Sequence, residues 1–387
     1  PIINLLISFF MGLSVGAGVV IARYFGARDE TGLSDSIHTS MCMIVIAGIV
    51  MTFAGVLLTP FILRWIGVPD DVMADSILYL RIYFYGILGV MIYNMGSGVL
   101  RALGDSRTPL YFLIASSLAN IVMDVVFVVC FHMGVGGVAW ATFLCQGVAS
   151  VLAAWTLFRR LRGVPAPERH PLFSWRMLGR IARIAVPSIL QQSFISVGNL
   201  FIQSLVNSFG SAVVAGYSAA VKLNTFALTG FTTLGNGLSS FTAQNIGAGR
   251  PERVKQGFRA GAGMTLCVAV PFIAAFVFAG PQMVRLFLSA PSADALAQGT
   301  LFLNIVAPFY VLISLKLAAD GVLRGAGCMG QFMTATFTDL ILRVILAFLL
   351  APRFGAAGIW MSWPLGWAVA AALSLGFYFT GGWRKRV

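Results

Sequence analysis

Apolar residues fill long blocks of this chain, and polar residues gather in short stretches between them. Blocks such as MCMIVIAGIVMTFAGVLL (41–58), TFLCQGVASVLAAWTLF (142–158) and MTLCVAVPFIAAFVFAG (264–280) approach the roughly 18 to 20 residues that carry a helix across a bilayer. Short segments of alternating hydrophobicity, the mark of a membrane β-barrel, are not the pattern. The blocks predict an all-α polytopic membrane protein with eleven spans, near 1–24, 37–62, 76–101, 107–131, 135–160, 181–208, 212–245, 253–280, 298–324, 330–352 and 355–380. One span departs from the oily rule. In QQSFISVGNLFIQSLVN (191–207), stepping 100° per residue puts Gln192, Ser196, Asn199, Gln203 and Asn207 on one narrow stripe.

Composition agrees with the pattern: 58% of residues are hydrophobic and 10% charged, against about a quarter charged in soluble domains. The net charge of +13 would suit nucleic acid, but its distribution argues against that partner. Basic residues sit in loops on alternate sides of the spans, as the positive-inside rule requires, facing an anionic inner leaflet. The linker carrying Arg159, Arg160, Arg162, Arg169, Arg176, Arg180 and Arg183 is therefore cytoplasmic, as are 247–259 and the tail 381–387, while 64–76 is outside. Five scattered cysteines and three histidines, with no CxxC or HExxH, give neither a disulfide framework nor a zinc site. No G-x-x-x-x-G-K-[ST] is present, which points away from ATP as the energy source.

Three short segments repeat at nearly constant offset. GVLRALG (98–104) returns as GVLRGAG (321–327), ARYFGA (22–27) as AQNIGA (243–248), and GVGGVAW (134–140) as GAAGIWM (355–361), 221 to 223 residues later. Six spans fit one period, so the halves are parallel repeats with a central cavity between them. On that register the helix at 181–208 has no partner, and the first half is short by one helix. The expected organisation is an N-terminal lobe of five spans (1–160), a cytoplasmic linker (161–180) and a C-terminal lobe of six spans (181–387).

The segments GVLRALGDSRTP (98–109), NIVMDVVF (120–127), GVGGVAWAT (134–142), VPSILQQS (186–193) and GVLRGAG (321–327), in this order, resemble those of the multidrug and toxic compound extrusion (MATE) transporters. The resemblance runs the whole chain, from the second helix of that fold to the twelfth. It implies secondary active export of amphipathic, often cationic drugs or xenobiotics in exchange for H⁺ or Na⁺, by alternating access, from the bacterial inner membrane. It implies no cofactor beyond the coupling ion, and a monomer among membrane lipids.

The polar stripe then falls on the first helix of the second lobe, where Gln192, Ser196, Asn199, Gln203 and Asn207 would line the substrate cavity. Amides facing lipid would lose water without gaining a partner; bonding to neighbouring helices is the other use of such residues. Asp124 lies well inside its span, where an acid is costly and points to function, and Asn120 is one turn earlier. An Asn and an Asp so spaced belong to the proposed coupling site of proton-coupled relatives. Occlusion in a low dielectric disfavours the charged carboxylate, so occlusion and proton uptake would favour each other. The second copy places Ile345, Leu346 or Ala347 opposite Asp124, so the shared scaffold does not demand the acid. Lys316, Asp320 and Arg324 form a ladder spaced by four, and Asp339 and Arg343 share that spacing. These five charges are expected to be a structural clamp. The sodium-coupled branch places acids in the first and fourth helices of the second lobe; 186–208 holds none, which weakens a site of that type. Export of lipid-linked precursors or polysaccharide, an inactive truncated transporter and an intramembrane enzyme are the alternatives; no catalytic constellation supports the last.

Overall fold

The computed structural model describes residues 2–161, 172–288 and 292–386, and they are almost entirely helical. In chain order the helices are α1 Ile2–Ala27, α2 Glu30–Ile66, α3 Asp70–Ala102, α4 Arg107–Val125, α5 Gly134–Leu161, α6 Trp175–Asn207, α7 Ser211–Gly247, α8 Pro251–Leu286, α9 Ala293–Val306, α10 Tyr310–Gly325, α11 Met329–Phe354 and α12 Ala356–Phe379. A π-helical turn, Val126–Cys130, continues α4. Each predicted span has its helix, with two differences. The span expected at 298–324 is divided into α9 and α10 by a 3₁₀ turn, Ala307–Phe309; Pro308 inside it has no N–H for the helical ladder. Ten segments are long and apolar enough to cross a membrane among the described residues, with α9 and α10 counted as one. The eleventh, α7, is 37 residues long but rich in Gly, Ser, Thr and Asn. Its polarity goes with its position, packed against α8, α9 and α10. Most of the basic linker, 162–171, lies outside the described residues.

Two compact units result. One comprises Leu13–Ala185; the other comprises Val186–Val387 together with residues 1–12. In the first, α3 packs against α2 and α5, and α5 also carries α4. Asp105, in the turn between α3 and α4, accepts hydrogen bonds from the N–H of Arg107 (3.2 Å), the N–H of Thr108 (3.0 Å) and the Thr108 hydroxyl (2.7 Å). Arg160, near the end of α5, donates to the same carboxylate at 2.5 Å. Partial burial pushes this carboxyl upward, but the Thr108 bonds, the Arg160 guanidinium and the Arg107 N–H outweigh it and hold it below the usual carboxylate range. Its stabilising contribution is therefore complete above the ordinary Asp value, about 3.9, and is lost as the pH falls through the lower folded value. Asp105→Ala is expected to cost about 1 kcal/mol at pH 7 and to remove that acid-side loss. Unfolding followed across pH checks it; equal stability of both proteins at pH 7 would contradict the capping role.

The second unit is built on aromatic packing. Trp360, Trp363 and Trp367 recur on one face of α12 and are buried with Tyr217, Phe302 and Tyr310. Tyr217 stacks on Trp360 at 4.9 Å, and the buried Tyr310 hydroxyl donates to Asn224 Oδ1 at 2.8 Å. Helices α7 and α10 meet backbone to backbone. A Cβ on Gly321 would lie 2.5 Å from the Gly235 carbonyl oxygen, so neither residue has room for a side chain. Gly321→Val is expected to force the pair apart and destabilise by about 1–3 kcal/mol, the usual cost of overpacking. Thermal unfolding in detergent reads this, and an unchanged midpoint would show that the helices separate freely.

Candidate functional site

The close approach at Gly235 and Gly321 puts the polar residues of α7 beside those of α10, and between these helices, α6, α11 and α12 a cavity opens. About 230 Å³ of it is available to water-sized molecules. Gln191 and Gln192 reach it from α6, Thr232 and Asn236 from α7, Lys316, Asp320 and Arg324 from α10, and Thr336, Asp339 and Arg343 from α11. Ile195, Leu228, Ile313, Leu317, Phe332 and Trp367 supply apolar wall, and Met11 of α1 closes one side.

The charges are arranged in pairs. Lys316 Nζ lies 2.7 Å from Asp320 Oδ2, and a long 3.5 Å bond runs from the same ammonium to the Thr336 hydroxyl. Ser374 of α12 donates to Asp320 Oδ1 at 2.6 Å. On α11, Arg343 Nη2 donates to Asp339 Oδ2 at 2.7 Å, and the guanidinium lies over the Trp363 ring at 4.6 Å. All four charged residues are buried. Arg324 differs: its Nη2 donates to Asn236 Oδ1 at 2.5 Å, its Nε makes a long 3.5 Å contact with the Ser239 hydroxyl, and Phe332 lies 5.6 Å away. Its partners are neutral, and among the described residues no carboxylate lies within ion-pair distance of it. The five charges expected to be a clamp thus bind helices together and also form the cavity wall.

Of the predicted stripe, Gln192 is at this wall and the other four are not. The Ser196 hydroxyl donates to the Gln192 carbonyl at 3.1 Å. Asn199 and Asn207 are exposed, and Gln203 donates to Asn207 Oδ1 at 2.8 Å. Gln191, Asn236 and Thr336 were not singled out in the sequence. Their signal is spacing: Thr232 and Asn236 are one turn apart, and Thr336, Asp339 and Arg343 step by three and four, so each set shares a helix face.

In the other unit, Asp124 lies on α4 one residue before its end, against the π-helical turn. It is half-buried, and its Oδ1 is shielded from solvent with no hydrogen-bond partner. Asn120 Nδ2 donates not to Asp124 but, at 3.5 Å, to the Thr142 hydroxyl of α5. Thr142 borders a narrow pocket with Tyr79, Tyr83, Phe143 and Gln146, which has room for about one water molecule.

Bundled membrane-crossing helices around an open polar cavity are the build of a small-molecule transporter. A profile of the MatE family matches residues 1–126 and 187–349, and the chain belongs to that family of membrane transporters. It is a multi-pass protein of the bacterial plasma membrane. It is 30% identical over 384 residues to the probable multidrug resistance protein YpnP of Bacillus subtilis (strain 168), covering 99% of this chain and 85% of that one. With YoeA of the same organism, also named a probable multidrug resistance protein, it shares 28% over 399 residues, 100% of this chain and 85% of the relative. A crystal structure of MATE in the bent conformation superposes with a TM-score of 0.91 at 24% identity, covering 100% of this chain and 86% of the other. A MOP superfamily transporter from Pyrococcus furiosus, described as having a binding pocket of reverse polarity, gives 0.91 at 24% identity, covering 98% and 86%. At such identities the likeness is one of fold.

Proposed function

We propose that this protein exports amphipathic small molecules, organic cations among them, in exchange for protons, exposing its binding site to each side of the membrane in turn. The observation that carries this is the cavity of the α6–α12 bundle. An open cavity with about 230 Å³ available to water-sized molecules, and with amides, hydroxyls and five charges on its wall, is costly to maintain in a membrane protein unless water and a cargo use it. The multidrug resistance names of YpnP and YoeA support drugs as that cargo. Asp124 would be the coupling group and Asn120 its neighbour. Asp124 Oδ1 is shielded and has no hydrogen-bond donor, and a proton or cation bound there would change the charge of α4 at its junction with the π-turn. Sodium is the second reading, because the same free oxygen can accept a hard cation.

The test is transport of rhodamine B, a fluorescent amphipathic dye that carries both a cationic ring system and a carboxylate, by the purified protein in sealed vesicles, with pH and Na⁺ gradients imposed separately. Movement driven by the pH gradient alone is expected. Movement with Na⁺ alone transfers the coupling to sodium, and no movement under either gradient overturns the exchange mechanism.

A further inference from the structure

We propose that the cavity of the α6–α12 bundle holds its cargo by an acidic group, with Arg324 as the anchoring cation. The proposal rests on the export reading above and narrows its cargo to amphipathic molecules that carry a carboxylate or similar acid. The wall holds Lys316, Arg324 and Arg343 against Asp320 and Asp339, an excess of one positive charge. Both carboxylates are already matched. Asp320 has Lys316 at 2.7 Å and the Ser374 hydroxyl at 2.6 Å, and Asp339 has Arg343 at 2.7 Å. Asp320 is also one turn from Arg324, but its oxygens are held by Lys316 and Ser374. A cationic group entering the cavity meets carboxylates whose charge is already matched, and among their oxygens only Asp339 Oδ1 is left without a hydrogen-bond donor.

An acid meets the opposite situation. Arg324 carries five N–H donors in a fixed fork. One nitrogen is bonded to Asn236, and another makes only the long contact to Ser239. Guanidinium forks match planar carboxylates, and charge-assisted bonds in a poorly screened site are strong. The side chain is half-buried at the cavity wall, so donors remain accessible from it. Gln191 and Gln192, on the facing helix, offer neutral amides to the rest of a polar head, while Leu317, Phe332 and Trp367 offer apolar surface to its body.

The probes are rhodamine B and its ethyl ester, one chromophore with its carboxylate free or blocked. Binding to the full chain in detergent is read by fluorescence polarisation, and movement is read in vesicles under a pH gradient. The wild-type protein is expected to bind the free acid about tenfold or more tighter than the ester. Arg324→Gln should remove most of that preference by weakening the acid more than the ester, and Arg324→Lys should retain part of it. Equal binding of acid and ester by the wild type, binding of neither, or an acid preference that survives largely intact in Arg324→Gln overturns the proposal. If Arg324→Gln does not purify as a monodisperse protein, the wild-type ratio and the Arg324→Lys ratio decide. Acid-selective binding with no gradient-driven movement upholds the site and overturns the export reading instead.

Discussion

Asp124→Asn is expected to lower gradient-driven efflux about 5- to 150-fold, the range of a coupling free energy of 1–3 kcal/mol, while cargo binding changes little. The substitution keeps the side-chain shape but removes the negative charge and the ability to gain and lose a proton. Asp124 is suited to that role by three features of its surroundings. Its Oδ1 is shielded and has no donor. Asn120, one turn away, bonds to Thr142 of α5 rather than to it. The helix changes to π-type hydrogen bonding directly after it, at Val126–Cys130; such bulges are frequent at functional sites. Exchange of a proton or ion at this carboxylate would change the local charge and bias the two arrangements of a segment whose backbone bonding already departs from the regular ladder. Asp124→Glu, which still titrates, should keep part of the rate, and Asn120→Ala should lose less than Asp124→Asn because it acts through α5. Initial efflux rates in vesicles under a fixed pH gradient measure all three. A full rate for Asp124→Asn would remove this residue from the coupling step and leave cargo recognition untouched.

Much of the fold was legible because helix formation in a membrane is a local decision. Apolar blocks of spanning length, basic loops and the GVLR repeats each report on a short stretch, and all the predicted spans are helices. What failed was also local in origin: Pro308 divides α9 from α10, although apolar content alone reads through it. The cavity was legible only in part. Spacing showed that Lys316, Asp320 and Arg324 share a face, and that Asp339 can meet Arg343. Which way those faces point depends on the approach of α7 to α10 at Gly235 and Gly321, and on Thr336 and Ser374 arriving from two other helices. Charges expected to be a clamp are therefore also the wall of a cavity. The stripe from Gln192 to Asn207 shows the same limit: a helix of 33 residues is longer than the cavity it borders, so one face passes through several environments. Gln192 meets the cavity, whereas Gln203 and Asn207 satisfy each other.

Arg343→Ala is expected to destabilise the protein by about 3–5 kcal/mol, the largest effect on stability anticipated for a single side chain here. Removing the guanidinium leaves Asp339 buried with no cation, and its Oδ1 already lacks a hydrogen bond. Gly366 of α12 packs against that same oxygen. The variant also loses the contact over Trp363, which contributes about 0.5–2 kcal/mol in a desolvated setting. The double replacement Asp339→Leu with Arg343→Met should recover most of the loss, because it removes both desolvated charges and refills their volume. A double-mutant cycle of chemical or thermal unfolding in detergent separates the two contributions. If the double variant is as unstable as Arg343→Ala, the cost lies in the packing of Arg343 against Trp363 and not in the charge left behind. If it recovers while acid-selective binding persists, the Asp339–Arg343 pair is a structural feature of the cavity wall, and recognition of the acid rests on Arg324 alone.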